Sequence, residues 1–160
     1  MTSKTSHPIV SFLIMIILIT LDQATKKMAD AYIQGKEMVH VLGDFIILVY
    51  AKNRGAFLSW GNEIPQTLWV IVFIVLPLAV LSFLTYYVFK KKWGDPLYRN
   101  SLILGLSGGL GNIIDRIAYG NVTDFMNIGI GPIFRSGIFN VADLYIVALV
   151  IYVLFHPKKK

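Results

Sequence analysis

The chain has 160 residues, 56% of them apolar and only 15% charged, whereas a soluble domain of this size carries about a quarter charged residues. It contains no cysteine, which excludes disulfides, thiol nucleophiles and thiolate metal sites together. The net charge of +6 sits in short clusters beside apolar segments, so it reads as a membrane-topology signal and needs no nucleic acid to explain it.

Four apolar segments are predicted as membrane-spanning helices, at about residues 9–27, 67–89, 101–118 and 141–156. Together they form one membrane-embedded domain over residues 1–160, a mainly α protein with a small β-rich cradle outside the membrane. The first span follows Lys4 and runs directly into Asp22-Gln23-Ala24-Thr25-Lys26. A competing reading makes it a cleaved signal peptide ending at Ala29-Asp30-Ala31, but the polar run after Leu21 forms a motif of its own.

Next comes an outer loop with β character over about residues 30–65. Its β-branched and aromatic runs at 39–42 and 45–51 flank Gly43-Asp44, the pattern of a hairpin. The loop closes on Asn53-Arg54-Gly55-Ala56-Phe57, a turn signal followed by apolar residues. The second span is followed by Lys90, Lys91, Lys92 and Arg99. The third contains Gly105-Leu106-Ser107-Gly108-Gly109-Leu110-Gly111-Asn112, in which Gly105 and Gly109 suit close helix packing and Gly108 and Gly111 suit clearance beside Asn112. Residues 119–139 read as a glycine-rich loop with apolar side chains that dips into headgroups or lids a substrate. The fourth span is followed by Lys158, Lys159 and Lys160.

The basic clusters put both termini and the central loop in the cytoplasm. Eight of the nine acidic residues then lie outside, and four of them, Asp22, Asp115, Asp124 and Asp143, collect at one membrane boundary from separate segments. A lone aspartate there usually ends a helix. Four of them, with Asn112, Arg116 and Asn140 nearby, nominate an active site, because ionised carboxylates at that depth must be paired or wetted. Asn112, Asp115 and Arg116 share one sector of their helix through i, i+3 and i, i+4 spacing.

Two close, partly desolvated carboxylates do not both ionise easily. One keeps a proton while the other activates a water for attack on a peptide carbonyl, and no metal or other cofactor is required. Residue patterns alone leave open which two of the four form the pair. Other arrangements are poorer: His7, His40 and His156 are scattered, and no spacing couples Ser59 or Ser136 to Lys26 or Lys27 as a Ser–Lys pair. Two rival functions are a carrier that uses the same acids as a proton relay and a non-catalytic membrane chaperone in which they are only structural. A carrier places its binding residues nearer the midplane, which disfavours it.

Four motifs in order resemble the lipoprotein signal peptidase (signal peptidase II) family. Asp22-Gln23-Ala24-Thr25-Lys26 is similar to DQxTK, and Asn53-Arg54-Gly55-Ala56-Phe57 to NxGAAF with the second alanine replaced. The segment from Gly108 to Arg116, followed by Gly120-Asn121-Val122-Thr123-Asp124-Phe125, is similar to GGxxGNxxDR and GxVxDF. Phe139-Asn140-Val141-Ala142-Asp143 is similar to FNxAD. Thr123 and Leu144-Tyr145 depart from common family residues, without removing a carboxylate.

The resemblance implies an aspartic endopeptidase of the bacterial inner membrane with Asp124 and Asp143 as the catalytic pair. It also implies supporting roles for Asp22, Asn53, Gly55, Gly108, Asn112, Asp115, Arg116 and Asn140. The implied substrate is a prolipoprotein carrying diacylglycerol, cut just before the lipidated cysteine. Membrane lipid and a globomycin-type cyclic peptide inhibitor are the other implied partners, with no metal and no cofactor.

Overall fold

A computed structural model describes residues 8–55, 64–91, 93, 95–131 and 133–156. Lys4, His7, Ala56, Phe57, Ser59, Lys92, Lys158, Lys159 and Lys160 therefore lie outside the described residues. The elements are α1 (Pro8–Tyr32), β1 (Val39–Leu42), β2 (Ile46–Asn53), α2 (Gln66–Lys90), α3 (Pro96–Tyr119), β3 (Val122–Ile130), β4 (Phe134–Arg135) and α4 (Val141–Phe155).

The helix α3 is central, with α1, α2 and α4 packed against it. Its small residues make this possible: Gly105 lies against Leu149 of α4 and Gly109 against Leu81 of α2. Met15, Val88, Trp93, Ile103 and Leu106 form the buried cluster between the helices. In α2 a π-helical turn, Ile71–Val75, precedes Pro77. Proline has no N–H to return to Phe73 and crowds its carbonyl, and widening the turn relieves that conflict.

Two helices, α1 and α2, are each 25 residues long and apolar enough to cross a membrane. A helix in the core of a soluble protein would be mostly buried, yet only 17% and 11% of their apolar windows are buried. Phe12, Leu13 and Ile17 on α1 and Val75, Leu76 and Phe83 on α2 instead face outward. Of the four expected spans, these two stand on length and composition alone. The 15 residues of α4 reach only about 22 Å at 1.5 Å per residue, short of the roughly 30 Å hydrocarbon layer. On α3 the polar residues Arg99, Ser101, Ser107, Asn112 and Asp115 are buried. Arg99, counted above in the basic cluster after the second span, is buried against the hydroxyl of Ser11.

The sheet is antiparallel in the order β1-β2-β3-β4. The hairpin expected from the first outer loop forms as β1 and β2, with Gly43 at positive φ in its turn. Residues 119–139 depart from the expectation of a loop: Val122–Ile130 is a strand paired along β2, and β4 pairs with it. Its glycines obscured a β-branched and aromatic run, and β2 supplies the edge it completes. Val122, Thr123, Asp124 and Phe125 are all buried, so this strand lacks the in–out alternation that marks a surface strand.

Candidate active site

The site is built where α3 ends. Gly120, at φ 71°, caps α3 with its N–H on the Arg116 carbonyl and turns the chain into β3. This left-handed conformation favours glycine. The β2–β3 register sets Ala51 opposite Asp124 and Asn53 opposite Val122, so Asn53 and Asp124 are diagonal neighbours on one face. Asn53 Nδ2 donates to Asp124 Oδ2 at 3.0 Å.

A short bridge then brings in α4. The Phe139 N–H donates to the Met126 carbonyl and its own carbonyl accepts from the N–H groups of Phe125 and Met126, which pins the segment before α4 to β3. The next residue, Asn140, is the N-cap of α4. Its Oδ1 accepts from the Asp143 N–H, and Asp143 Oδ2 accepts from the Asn140 N–H, each at 3.0 Å, a reciprocal capping box. With its oxygen held by the cap, the Asn140 amide turns Nδ2 to Asp124 Oδ1 at 2.7 Å. Asp124 and Asp143 therefore both receive hydrogen bonds from Asn140. Asn112 Nδ2 donates to the remaining oxygen of Asp143 at 3.0 Å.

Beneath this pair lies a buried ionic cluster. Lys26 Nζ donates to Asp22 Oδ2 at 2.8 Å, to Asn112 Oδ1 at 2.9 Å and to Asp115 Oδ2 at 3.1 Å. Gln23 Nε2 bridges Asp115 Oδ1 and the Gly111 carbonyl. Asp22 Oδ1 accepts from the Ala142 N–H at the start of α4. Asp115 Oδ2 also accepts from the Thr123 N–H. Such saturation is what charges taken out of water require.

The expected site residues divide accordingly. Asp22, Asn53, Asn112, Asp115, Asp124, Asn140 and Asp143 are joined in one continuous network. Arg116 reaches the Gly55 carbonyl at 2.7 Å, and its guanidinium experiences the charges of Asp124, Asp143 and Asp115. The segment carrying Gly55 is tied to α2 by Trp69 Nε1, which donates to the Arg54 carbonyl at 2.6 Å. Gly108 gives room to the Ala142 carbonyl, and Gly111 clears space for the Asp22 carboxylate. Lys26, Gln23 and Thr123 are not among the expected supporting residues, yet they are members of the network. A lysine at i+4 from an aspartate inside an apolar helix is a signal for such a member, because neither charge has water to turn to.

Asp124 is 3% exposed, and its carboxyl is pushed up to about 6. Loss of water is the main cause, and the charge of Asp143 adds to it, while the hydrogen bonds from Asn53 and Asn140 and the Lys26 charge oppose it. Asp143 is half-buried. A buried carboxyl that holds its proton up to about pH 6, beside one that meets solvent, is an arrangement suited to acid–base work.

The scattered histidines remain scattered: His40 pairs with Asp44, and His156 with Asp95. Ser136 accepts from the Ile128 N–H, and Lys26 is fully engaged elsewhere, so the two do not form a Ser–Lys pair.

The model of the family described as signal peptidase (SPase) II matches residues 14–157. The lipoprotein signal peptidase of Borrelia hermsii is 36% identical over 158 residues, covering 93% of this chain and 92% of that protein. That of Halothermothrix orenii is 34% identical over 151 residues, covering 92% of this chain and 97% of that protein. Two solved structures of a bacterial membrane enzyme, determined by the in meso method at 2.3 and 1.9 Å resolution, are 28% and 27% identical. They superpose with TM-scores of 0.74 and 0.75, covering 94% and 93% of this chain and 93% and 94% of those chains.

Proposed function

The chain belongs to the signal peptidase II family, a family of membrane peptidases of lipoprotein processing, and on that premise we propose that it cuts diacylglyceryl-modified prolipoproteins just before the lipidated cysteine, using Asp124 and Asp143. The observation that carries this reading is Asn140, which donates to both carboxylates and so brings them to one point.

In the proposed reaction the buried Asp124 holds the proton and Asp143 is ionised. A water between them gives a proton to Asp143 as its oxygen bonds to the scissile carbonyl carbon. Asp124 donates to the carbonyl oxygen, leaving a neutral diol. The diol then collapses: one hydroxyl returns its proton to Asp124, Asp143 passes its proton to the departing nitrogen, and the C–N bond breaks. Each carboxyl ends as it began. Asn53, Asn112 and Asn140 stabilise whichever form is ionised by hydrogen bonds. Arg116 offsets part of the negative charge.

All four of the helices α1, α2, α3 and α4 are proposed to span the bilayer, with α4 completing its crossing through the residues around it. Lys90 and Lys91 mark the cytoplasmic end, and the carboxylates lie at the extracytoplasmic one. Diacylglycerol on the substrate would lie in the lipid beside the outward apolar faces. A globomycin-type cyclic peptide is proposed to bind over the same carboxylates.

The test is a gel-shift assay on a diacylglyceryl-modified precursor in detergent. Wild type is expected to release the signal peptide, while Asp124→Asn and Asp143→Asn, each still folded, lose at least about 10²-fold in rate, the scale of one general acid or base. Full activity in either variant removes that residue from the pair.

A further inference from the structure

We propose that Lys26 is a positioning residue for the reaction, fixing the side-chain amide of Asn112 so that its NH2 faces Asp143. This inference rests on the peptidase reading above and adds a residue that never meets substrate.

An asparagine amide has two nearly isosteric ends, and only its neighbours decide which points where. Asn112 has three such neighbours. Lys26 Nζ, at 2.9 Å from Oδ1, can only donate. Asn140 Nδ2, at 3.2 Å from the same oxygen, also donates, since the helix cap holds its own oxygen. Asp143 Oδ1, at 3.0 Å from Nδ2, accepts. Turning the amide over would set an NH2 against an ammonium and an oxygen against a carboxylate.

Lys26 is itself held from two helices. Its other two hydrogen bonds go to Asp22 on its own helix and to Asp115 on α3, and its side chain is 3% exposed. Asp22 in turn holds the N–H of Ala142, between Asn140 and Asp143. The helix α1 thus reaches the carboxylate pair by two routes, one through the Asn112 amide and one through the α4 backbone.

The charged groups around Asp124 are Asp143 from α4, Arg116 from α3 and Lys26 from α1, while β2 and the cap contribute the neutral Asn53 and Asn140. Removing the lysine charge takes away an influence that favours ionised Asp124. That change moves the loss of the Asp124 proton to higher pH.

The experiment compares Lys26→Met, and Lys26→Met combined with Asp22→Asn to restore the charge count, with wild type and Asp124→Asn. The substrate is a synthetic diacylglyceryl-modified precursor, and rates are normalised to folded enzyme recovered by gel filtration. The expected result is a kcat lower by on the order of 10²-fold. KM is expected to stay unchanged, and the alkaline limb of the pH profile to move upward, in whichever variant folds. A folded variant with wild-type kcat and an unshifted profile overturns the proposal, because a purely structural lysine would alter yield alone. If neither variant folds, Asn112→Asp decides, since it keeps an oxygen for Lys26 and Asn140 and removes the NH2 facing Asp143. Wild-type turnover there overturns the proposal, and loss of kcat with KM preserved supports it. Failure of wild type itself to cleave counts against the peptidase reading and leaves the lysine out of account.

Discussion

Asn140 donates its side-chain NH2 to Asp124 at 2.7 Å while serving as the N-cap of α4. The start of a helix and the meeting of two acids are thereby one structural event. The cap dictates which end of the Asn140 amide faces Asp124, and its backbone N–H engages Asp143 at the same time.

Replacing Asn140 separates these two duties. Asn140→Ala loses the cap, about 1 kcal/mol, together with the donor to Asp124. Asn140→Asp keeps a good cap but sets a third carboxylate beside Asp124. The second variant is expected to melt close to wild type yet to cleave at least about 10²-fold more slowly, a scale set by one catalytic acid or base. Thermal denaturation in detergent, followed by the cleavage assay on the same sample, checks both halves.

The pH profile follows from Asp124. In the proposed reaction its carboxyl, pushed up to about 6, supplies the proton, so kcat/KM is expected to fall as pH rises through about 6. Bound substrate expels water and favours the neutral form further, which places the corresponding limb of kcat at higher pH. The Asn53 hydrogen bond opposes the shift, so Asn53→Ala should move the kcat/KM limb upward by roughly one pH unit. A limb that stays in place or moves downward contradicts the assignment. The limbs belong to the coupled pair, and the variant tests which member dominates.

Gly111 of α3 lies against the Asp22 carboxylate of α1. A Cβ there would lie 2.5 Å from Asp22 Oδ2, an oxygen already engaged by Lys26. Alanine gains about 1 kcal/mol in helix propensity over glycine, but it forces apart a saturated ionic cluster. The steric effect wins, and Gly111→Ala is expected to destabilise the protein by about 1–3 kcal/mol. Denaturation that occurs at or above the wild-type midpoint would contradict this.

Because the chain has no cysteine, single introduced thiols report topology directly. Ile133, 83% exposed, borders the sheet, and Lys91 lies at the far end of α2. In intact cells a membrane-impermeant maleimide is expected to label Ile133→Cys, and to label Lys91→Cys only after lysis. The reverse pattern would invert the proposed orientation.

The Ser–Lys alternative is tested by Ser136→Ala. Ser136 Oγ only accepts from the Ile128 N–H, so cleavage by this variant is expected to match wild type. Abolished cleavage with an intact fold would return a serine mechanism to consideration.

Much was legible along the chain. Apolar runs mark the helices, and the run–turn–run pattern at 39–51 marks the hairpin, because both follow from how side chains partition between apolar surroundings and water. The ordered motifs mark the family. Residues 119–139 read as a loop, because a strand buried on both faces lacks alternation and glycines lie just outside both its ends. Lys26 was passed over because its partners Asn112 and Asp115 lie far away along the chain.

The amino-acid order determined by itself that the protein carries long apolar helices and gathers carboxylates near their ends, since each of those properties is local to a segment. Only the tertiary structure decided that Asp124 meets Asp143 at Asn140 while Asp22 and Asp115 are spent on Lys26. That division depends on strand register, on a helix cap and on how closely α1 approaches α3. These are distances between remote segments, and local hydrophobicity carries no information about them.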